Sequence, residues 1–302
     1  MSPAMRLPLL LAAVAPLLLA NTDPASIPPQ IRAMLDAAMA SGNEGEVATI
    51  VKYGSTAAPD AAEAIAKVVD DWKAARLAQK QAKLQEAGLF DLWSGRAELG
   101  GFISTGNSNS EGVSAALSLT RDGLNWRHKF RFQADYQRSL GVTSREHYLA
   151  SWEPNWKLDD RSYVYGSTLF ESDRFLGYRT RYSVSAGAGY SAIKGKAMKL
   201  DLELGPAWRS TAFTDGAVER SIAARGSLDF AWKFAPGLQL TQVGSAYVER
   251  YNSTLTGTTA LNAKVLGPLS AQFSYNIQYE SMPPAGRQTT DTIGRAGLSY
   301  AF

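Results

Sequence analysis

The chain of 302 residues contains no cysteine. That removes disulfide frameworks, cysteine nucleophiles and Cys-ligated zinc or iron–sulfur centres together. Histidine is almost as scarce, with two in the whole sequence, His128 and His147. That leaves little for a metal cage or a His-based triad. Neither charge sign dominates: 31 basic and 28 acidic residues give a net charge of +3, so no patch or tail points to nucleic acid. Beyond residue 20 no uncharged apolar run approaches the ~18–20 residues that a spanning helix needs. Yet 45% of the chain is hydrophobic and 20% charged, which excludes a disordered polymer.

What is present comes in three parts. Residues 1–20 place Arg6 before a Leu/Ala-rich stretch that ends at Ala20 ahead of polar Asn21 and Asp23. This is the order of a secretory signal peptide, and without a following Cys it excludes a lipoprotein anchor. Residues 21–90 read as a small helical segment expected in the periplasm. Pro28 and Pro29 can open a first helix with Ile31, Met34, Leu35 and Ala38 on one face, and Asn43 precedes a second through Val47, Ile50 and Val51. Pro59-Asp60-x-x-Glu63 opens a third, with Ile65, Val68, Val69 and Trp72 as its stripe and Gly88 as its stop.

From Leu92 onward the period changes to two. Between 124 and 137, Leu124, Trp126, His128, Phe130, Phe132, Ala134 and Tyr136 alternate with charged or amide side chains such as Arg127, Lys129, Arg131 and Asp135. Such stretches run about ten to fifteen residues, longer than most strands of a soluble sandwich and enough to cross a bilayer at a tilt. Twelve are expected, starting near Leu92, Ser110, Leu124, His147, Arg161, Tyr178, Ala197, Val218, Gly237, Leu255, Leu269 and Thr289. The fold class is therefore an all-β, antiparallel, up-and-down transmembrane barrel over 91–302, in the outer membrane. Tight turns at 121–123, 159–160, 194–196, 235–237 and 267–268 are expected on the periplasmic side. Longer loops at 140–146, 173–177, 210–217, 252–254 and 282–287 are expected outside, the one at 252–254 being shorter than that side predicts. Two aromatic girdles follow from this topology: Trp93, Trp126, Trp156, Tyr190, Trp232, Tyr300 and Phe302 at one interface, and Tyr136, Tyr148, Tyr178, Tyr182, Trp208 and Tyr279 at the other. The ending Leu298-Ser299-Tyr300-Ala301-Phe302 has the form of the signal read by the barrel assembly machinery.

Trp93-x-Gly95-x-Ala97-Glu98-Leu99-Gly100, Thr105-Gly106-Asn107, Glu171-x-Asp173-x-Phe175-x-Gly177, Gly187-x-Gly189-Tyr190 and Asp291-Thr292 before Tyr300-x-Phe302 follow in order along the barrel. In these the chain resembles domain-of-unknown-function family 481, described as salt-induced outer membrane proteins. The resemblance covers about 92–302 and implies a barrel, an outer-membrane location and a link to salt or osmotic stress. It supplies no catalytic motif.

Strand parity turns charges of both signs inward, among them Arg127, Lys129, Arg131, Asp135, Arg179, Arg181, Asp201, Glu203, Arg225 and Glu280. Two readings follow. They form a mutually neutralising lattice that fills the bore, or a polar pore in which Arg127/Lys129/Arg131 and Arg179/Arg181 favour small anionic solutes. Asp201 and Glu203 stand two apart as metal ligands can, but Lys199 and Arg209 beside them favour an ion ladder. A hydrolase on twelve strands would need a Ser–His pair. His128 is expected to face lipid and His147 to stand at a loop edge, and no G-x-S-x-G is present. The reading is a cofactor-free, non-enzymatic barrel with lipid and the assembly machinery as partners, acting as a narrow channel or structural envelope protein. A soluble β-sheet binding protein is the rival that membrane fractionation would separate.

Overall fold

A computed structural model describes residues 26–105, 110–139, 142–250, 252–283 and 286–302, so the leader expected at 1–20 lies outside the described residues. The chain divides into two compact units, 1–82 and 83–302.

In the first unit, α1 (Pro29–Ser41) starts on a proline, whose missing N–H costs nothing at a helix start, and ends at Gly42 with a left-handed φ of 72°. The Asn43 side chain accepts from the Gly45 amide to cap α2 (Glu44–Ala57). A 3-10 turn (Pro59–Ala61) leads into α3 (Ala62–Glu86). Leu35, Ala38, Val47, Ala61, Ile65 and Val69 make its small core, with Ile50, Val51, Val68 and Trp72 packed against it. Met34, expected on the buried face, is exposed, and α3 is solvated beyond Trp72. No helix among the described residues is long and apolar enough to cross a membrane.

The second unit is a closed barrel of twelve antiparallel strands in which each strand pairs with its sequence neighbours and β1 (Trp93–Thr105) closes on β12 (Thr290–Ala301). The intervening strands are β2 (Ser110–Asp122), β3 (Trp126–Ser139), β4 (Val142–Lys157), β5 (Ser162–Asp173), β6 (Tyr178–Lys194), β7 (Met198–Phe213), β8 (Val218–Ala235), β9 (Leu238–Glu249), β10 (Thr254–Leu266) and β11 (Leu269–Glu280). We call the end that carries Trp93 and Phe302 the terminal end and the other the distal end. Phe302 helps close the seam: its carbonyl accepts from the Gly95 amide at 2.7 Å and its amide donates to the Gly95 carbonyl at 3.0 Å.

Closure removes every edge, and alternation leaves Leu204, Ile222, Phe273, Leu298 and their neighbours exposed on the outside. An exposed apolar surface of this extent on a barrel is a lipid-facing belt. Trp93, Trp126, Trp156, Tyr190, Trp232 and Tyr300 are exposed toward the terminal end, and Tyr136, Tyr148, Tyr182, Trp208 and Tyr279 toward the distal end. His128 joins the first group, its ring stacked at 5.8 Å on Trp126. Gln242, out of place on the lipid face of β9, is satisfied by the Thr259 hydroxyl of the paired strand β10.

The longer distal loop expected at 282–287 lies within the connection 281–289, but those expected at 140–146 and 210–217 are largely strand. Connections at the terminal end span two to four residues, and those at the distal end the same, except for nine at 281–289. The strands instead run past the aromatic belt. Strand β4 begins at Val142 rather than near His147, and β7 continues to Phe213.

Two inward glycine pairs sit at seams six strands apart. Gly100 faces Gly297 across β1–β12, and Gly187 approaches Gly205 across β6–β7. A Cβ on Gly187 would lie 2.2 Å from the Leu204 carbonyl oxygen, and one on Gly297 would lie 2.2 Å from that of Leu99. The wall bends inward sharply where only glycine lets the backbones meet.

Candidate functional site

The lumen is where this fold concentrates its chemistry. Strand parity brings the ionisable side chains inside, and a charge withdrawn from water needs a partner. The partners are drawn from distant strands. Arg127 on β3 reaches Asp201 on β7 at 3.4 Å, and Arg181 on β6 reaches Glu280 on β11 at 3.0 Å. Arg225 on β8 bridges two acids, 2.9 Å from Glu203 on β7 and 3.4 Å from Glu153 on β4. Glu153 also accepts from Lys129 at 2.9 Å, while the Ser227 and Tyr163 hydroxyls donate to Glu203. Pairs that join strands four and five places apart in a ring of twelve span the bore rather than line it.

Toward the middle, Asp135 is 0% exposed and accepts from Arg295 at 2.7 Å and from Gln133 at 3.1 Å, with the His147 Nδ1 at 3.2 Å. Toward the distal end, Arg145 lies 3.6 Å from Asp173, and Arg209 bonds Glu249 and Thr254, both at 2.9 Å. The Asn252 amide donates to Glu280. Tyrosines fill the space between the pairs. Guanidinium carbons stand over Tyr163 (Arg127, 4.9 Å), Tyr165 (Arg225, 5.0 Å), Tyr178 (Arg181, 4.0 Å) and Tyr247 (Arg209, 4.1 Å). Each such stack combines a cation–π attraction with steric filling. The space that remains includes a cavity of about 540 Å³ along the lumen and an adjoining one of about 280 Å³.

The expected site residues separate accordingly. Arg127, Lys129, Asp135, Arg181, Asp201, Glu203, Arg225 and Glu280 are members of these pairs. Arg131 lines both cavities, and among the described residues no carboxylate stands within ion-pairing distance of it. Arg179 does not accompany Arg181. A register shift between Tyr178 and Thr180 turns Tyr178 inward, where it is 0% exposed, and leaves Arg179 exposed and outside both cavities. The same shift removes Tyr178 from the distal girdle. His147 is likewise not at a loop edge but buried within β4. Asp201 and Glu203 take Arg127 and Arg225 as partners, and no cluster suited to a metal ion occurs among the described residues.

Arg145, Glu249 and the lumenal Tyr163, Tyr165 and Tyr247 were not singled out by sequence, and Tyr178 was expected on the lipid face. Tyrosines 163 and 165 share inward parity with Glu171, a signal that was present but masked by apolar residues on both faces of β5. Leu298, Tyr300 and Phe302 lie at the closing seam, with the Phe302 ring packed over Gly95.

A sealed ring of strands with an apolar outer belt and a charge-crossed interior defines a transmembrane β-barrel. The chain belongs to the family described as "Protein of unknown function, DUF481", whose model matches residues 97–302. It is 27% identical over 211 residues, 70% of this chain and 83% of the other, to the uncharacterized protein YdiY of Escherichia coli (strain K12). Among solved structures it is similar to the NanC porin, at 14% identity over 68% of this chain and 98% of that one, with a TM-score of 0.48. It is also similar to the translocator domain of the autotransporter NalP from Neisseria meningitidis, at 11% identity over 78% and 97% of the two chains, with a TM-score of 0.43.

Proposed function

We propose that this barrel is a non-enzymatic outer-membrane protein whose lumen is a constricted path for small ions, not an open pore for metabolites. The observation that carries the reading is the set of cross-bore pairs, Arg127–Asp201, Glu153–Arg225–Glu203 and Arg181–Glu280. Twelve strands enclose a modest bore, and side chains meeting across it divide that bore into cavities in place of one open channel. The terminal end faces the periplasm in this proposal. The nine-residue connection at 281–289 and the closing Phe302 at the opposite end support that orientation. Assembly by the barrel assembly machinery, and a part in the envelope's response to salt that the family resemblance implies, belong to the same proposal.

The test is single-channel recording of the purified protein in a planar bilayer, with a liposome swelling assay using a disaccharide. The expected result is small-ion conductance far below that of an open porin and no disaccharide entry. Free disaccharide entry would overturn the constricted-path reading.

A further inference from the structure

At the terminal end a third cavity, of about 640 Å³, opens among Arg96 of β1, the β6–β7 and β8–β9 connections and the ends of β8–β11. Its lining includes Arg96, Lys196, Lys233, Lys264, Gln239 and Asn262, and among the described residues it includes no Asp or Glu. Arg96, Lys233 and Lys264 differ in this from the basic groups of the lumen above, which meet acids from across the bore. From this geometry we infer a binding site for a small oxyanion that carries two or more negative charges, as phosphate-bearing molecules do.

The strand register assembles the donors. Lys233 on β8 is paired with Gln239 on β9, Gln239 with Asn262 on β10, and Lys264 on β10 with Ser270 on β11. Parity turns Lys233 and Lys264 inward while Phe234 and Val265 take the outer face. Arg96 reaches across from β1 to place its Nη1 3.4 Å from the Asn262 Oδ1. That bond uses the one acceptor of the amide. The Asn262 Nδ2, on a side chain only 5% exposed, has no hydrogen-bond partner. A buried N–H without an acceptor is costly, and this one belongs to a residue that lines the cavity.

Among the described residues no carboxylate stands within ion-pairing distance of Arg96, Lys233 or Lys264. The nearest inward acids on the same strands, Glu98 and Asp229, line the adjoining cavity instead. Arg96, Lys233 and Lys264, gathered with no acid within ion-pairing distance, repel one another, and a multivalent anion relieves that repulsion while accepting from several donors. The volume is in the range of small-molecule sites, so the phosphate can be part of a larger organic anion. The inference concerns equilibrium binding at the mouth and stands whether or not the lumen conducts.

Isothermal titration calorimetry of the full chain in uncharged detergent, with pyrophosphate as the probe, tests the site. A Lys233→Gln/Lys264→Gln variant is compared with a charge-matched Lys67→Gln/Lys80→Gln control on exposed positions of α3. Wild type and control are expected to bind alike, and the mouth variant at least about tenfold more weakly, or about 1.4 kcal/mol. Heat-modified mobility on gels verifies folding. If the double variant fails to fold, the single variants carry the comparison, each with part of the loss. No binding to wild type, or equal loss in the control, overturns the assignment. Competing the bound pyrophosphate in uncharged detergent with glycerol phosphate and with a short-chain phosphatidic acid, both phosphomonoesters, separates two sources of the oxyanion. Displacement by the lipid at much lower concentration than by glycerol phosphate identifies a lipid headgroup as the occupant, and equal displacement identifies a soluble anion.

Discussion

Arg225 shows how the interior works at the scale of one residue. Its guanidinium is shared between Glu153 and Glu203 and stands over the Tyr165 ring, so one side chain compensates two carboxylates from two other strands. Removing it leaves two buried acids facing each other with Lys129 as their remaining cation, 2.9 Å from Glu153. Breaking a buried pair from one side costs about 3–5 kcal/mol, because the partner's charge is left without compensation. Arg225→Ala is therefore expected to lower the denaturant midpoint of the barrel refolded in lipid vesicles, followed by tryptophan fluorescence. Restoring charge balance with Glu203→Gln in the same chain is expected to recover part of that loss. Equal stability of Arg225→Ala and wild type would show that water, not Arg225, solvates the two acids. The inward parity of Arg225, Glu203 and Glu153 was legible from alternation alone. Which acid each base meets was not, since period two gives the side of a strand but not the partner four strands away.

Elements were the most legible scale, and their failures share one cause. Strand number and most strand starts follow from alternation, because lipid outside and polar lumen inside impose opposite chemistry on successive residues. Where a strand leaves the bilayer that contrast is lost. Thr143, Arg145 and Glu146 pair with β3, but Thr143 and Glu146 are polar like the buried Arg145, so the stretch reads as a loop. The register shifts at Gln137/Arg138 and Tyr178/Thr180 fall in the same zone, and each breaks the parity on which assignments such as Arg179 rested. Glycines at the seams were visible in sequence, but not their role of admitting a neighbouring backbone. Gly187→Ala places a methyl group 2.2 Å from the Leu204 carbonyl oxygen, so β6 and β7 must part there. Gly294 on β12 has open space around its absent Cβ and serves as the control. Gly187→Ala is expected to reduce the heat-modifiable folded fraction clearly, and Gly294→Ala to leave it unchanged. Matching yields from the two variants would show that the seam relaxes without cost.

For the whole molecule the question is what a barrel gains from an interior that cross-links its own walls. Pairs toward the distal end, Arg181–Glu280 and Arg209–Glu249, are almost completely buried, each with a tyrosine beneath its guanidinium. The terminal end opens instead into the cation-lined cavity of about 640 Å³. Between them Arg131 stands without an acid partner among the described residues, at the junction of the two lumenal cavities. In the proposed small-ion path, such a profile is expected to place the resistance at the distal pairs and the sign of the ions admitted at Arg131 and the mouth. Removing both members of one plug pair avoids a stranded charge. Arg181→Ser with Glu280→Ser is therefore expected to raise single-channel conductance while the reversal potential stays on the anion side. Arg131→Ser is expected to do the opposite, shifting reversal potential toward cations with little change in conductance. If the plug variant conducts no more than wild type, the resistance lies elsewhere in the bore and the distal pairs serve only to hold the walls together.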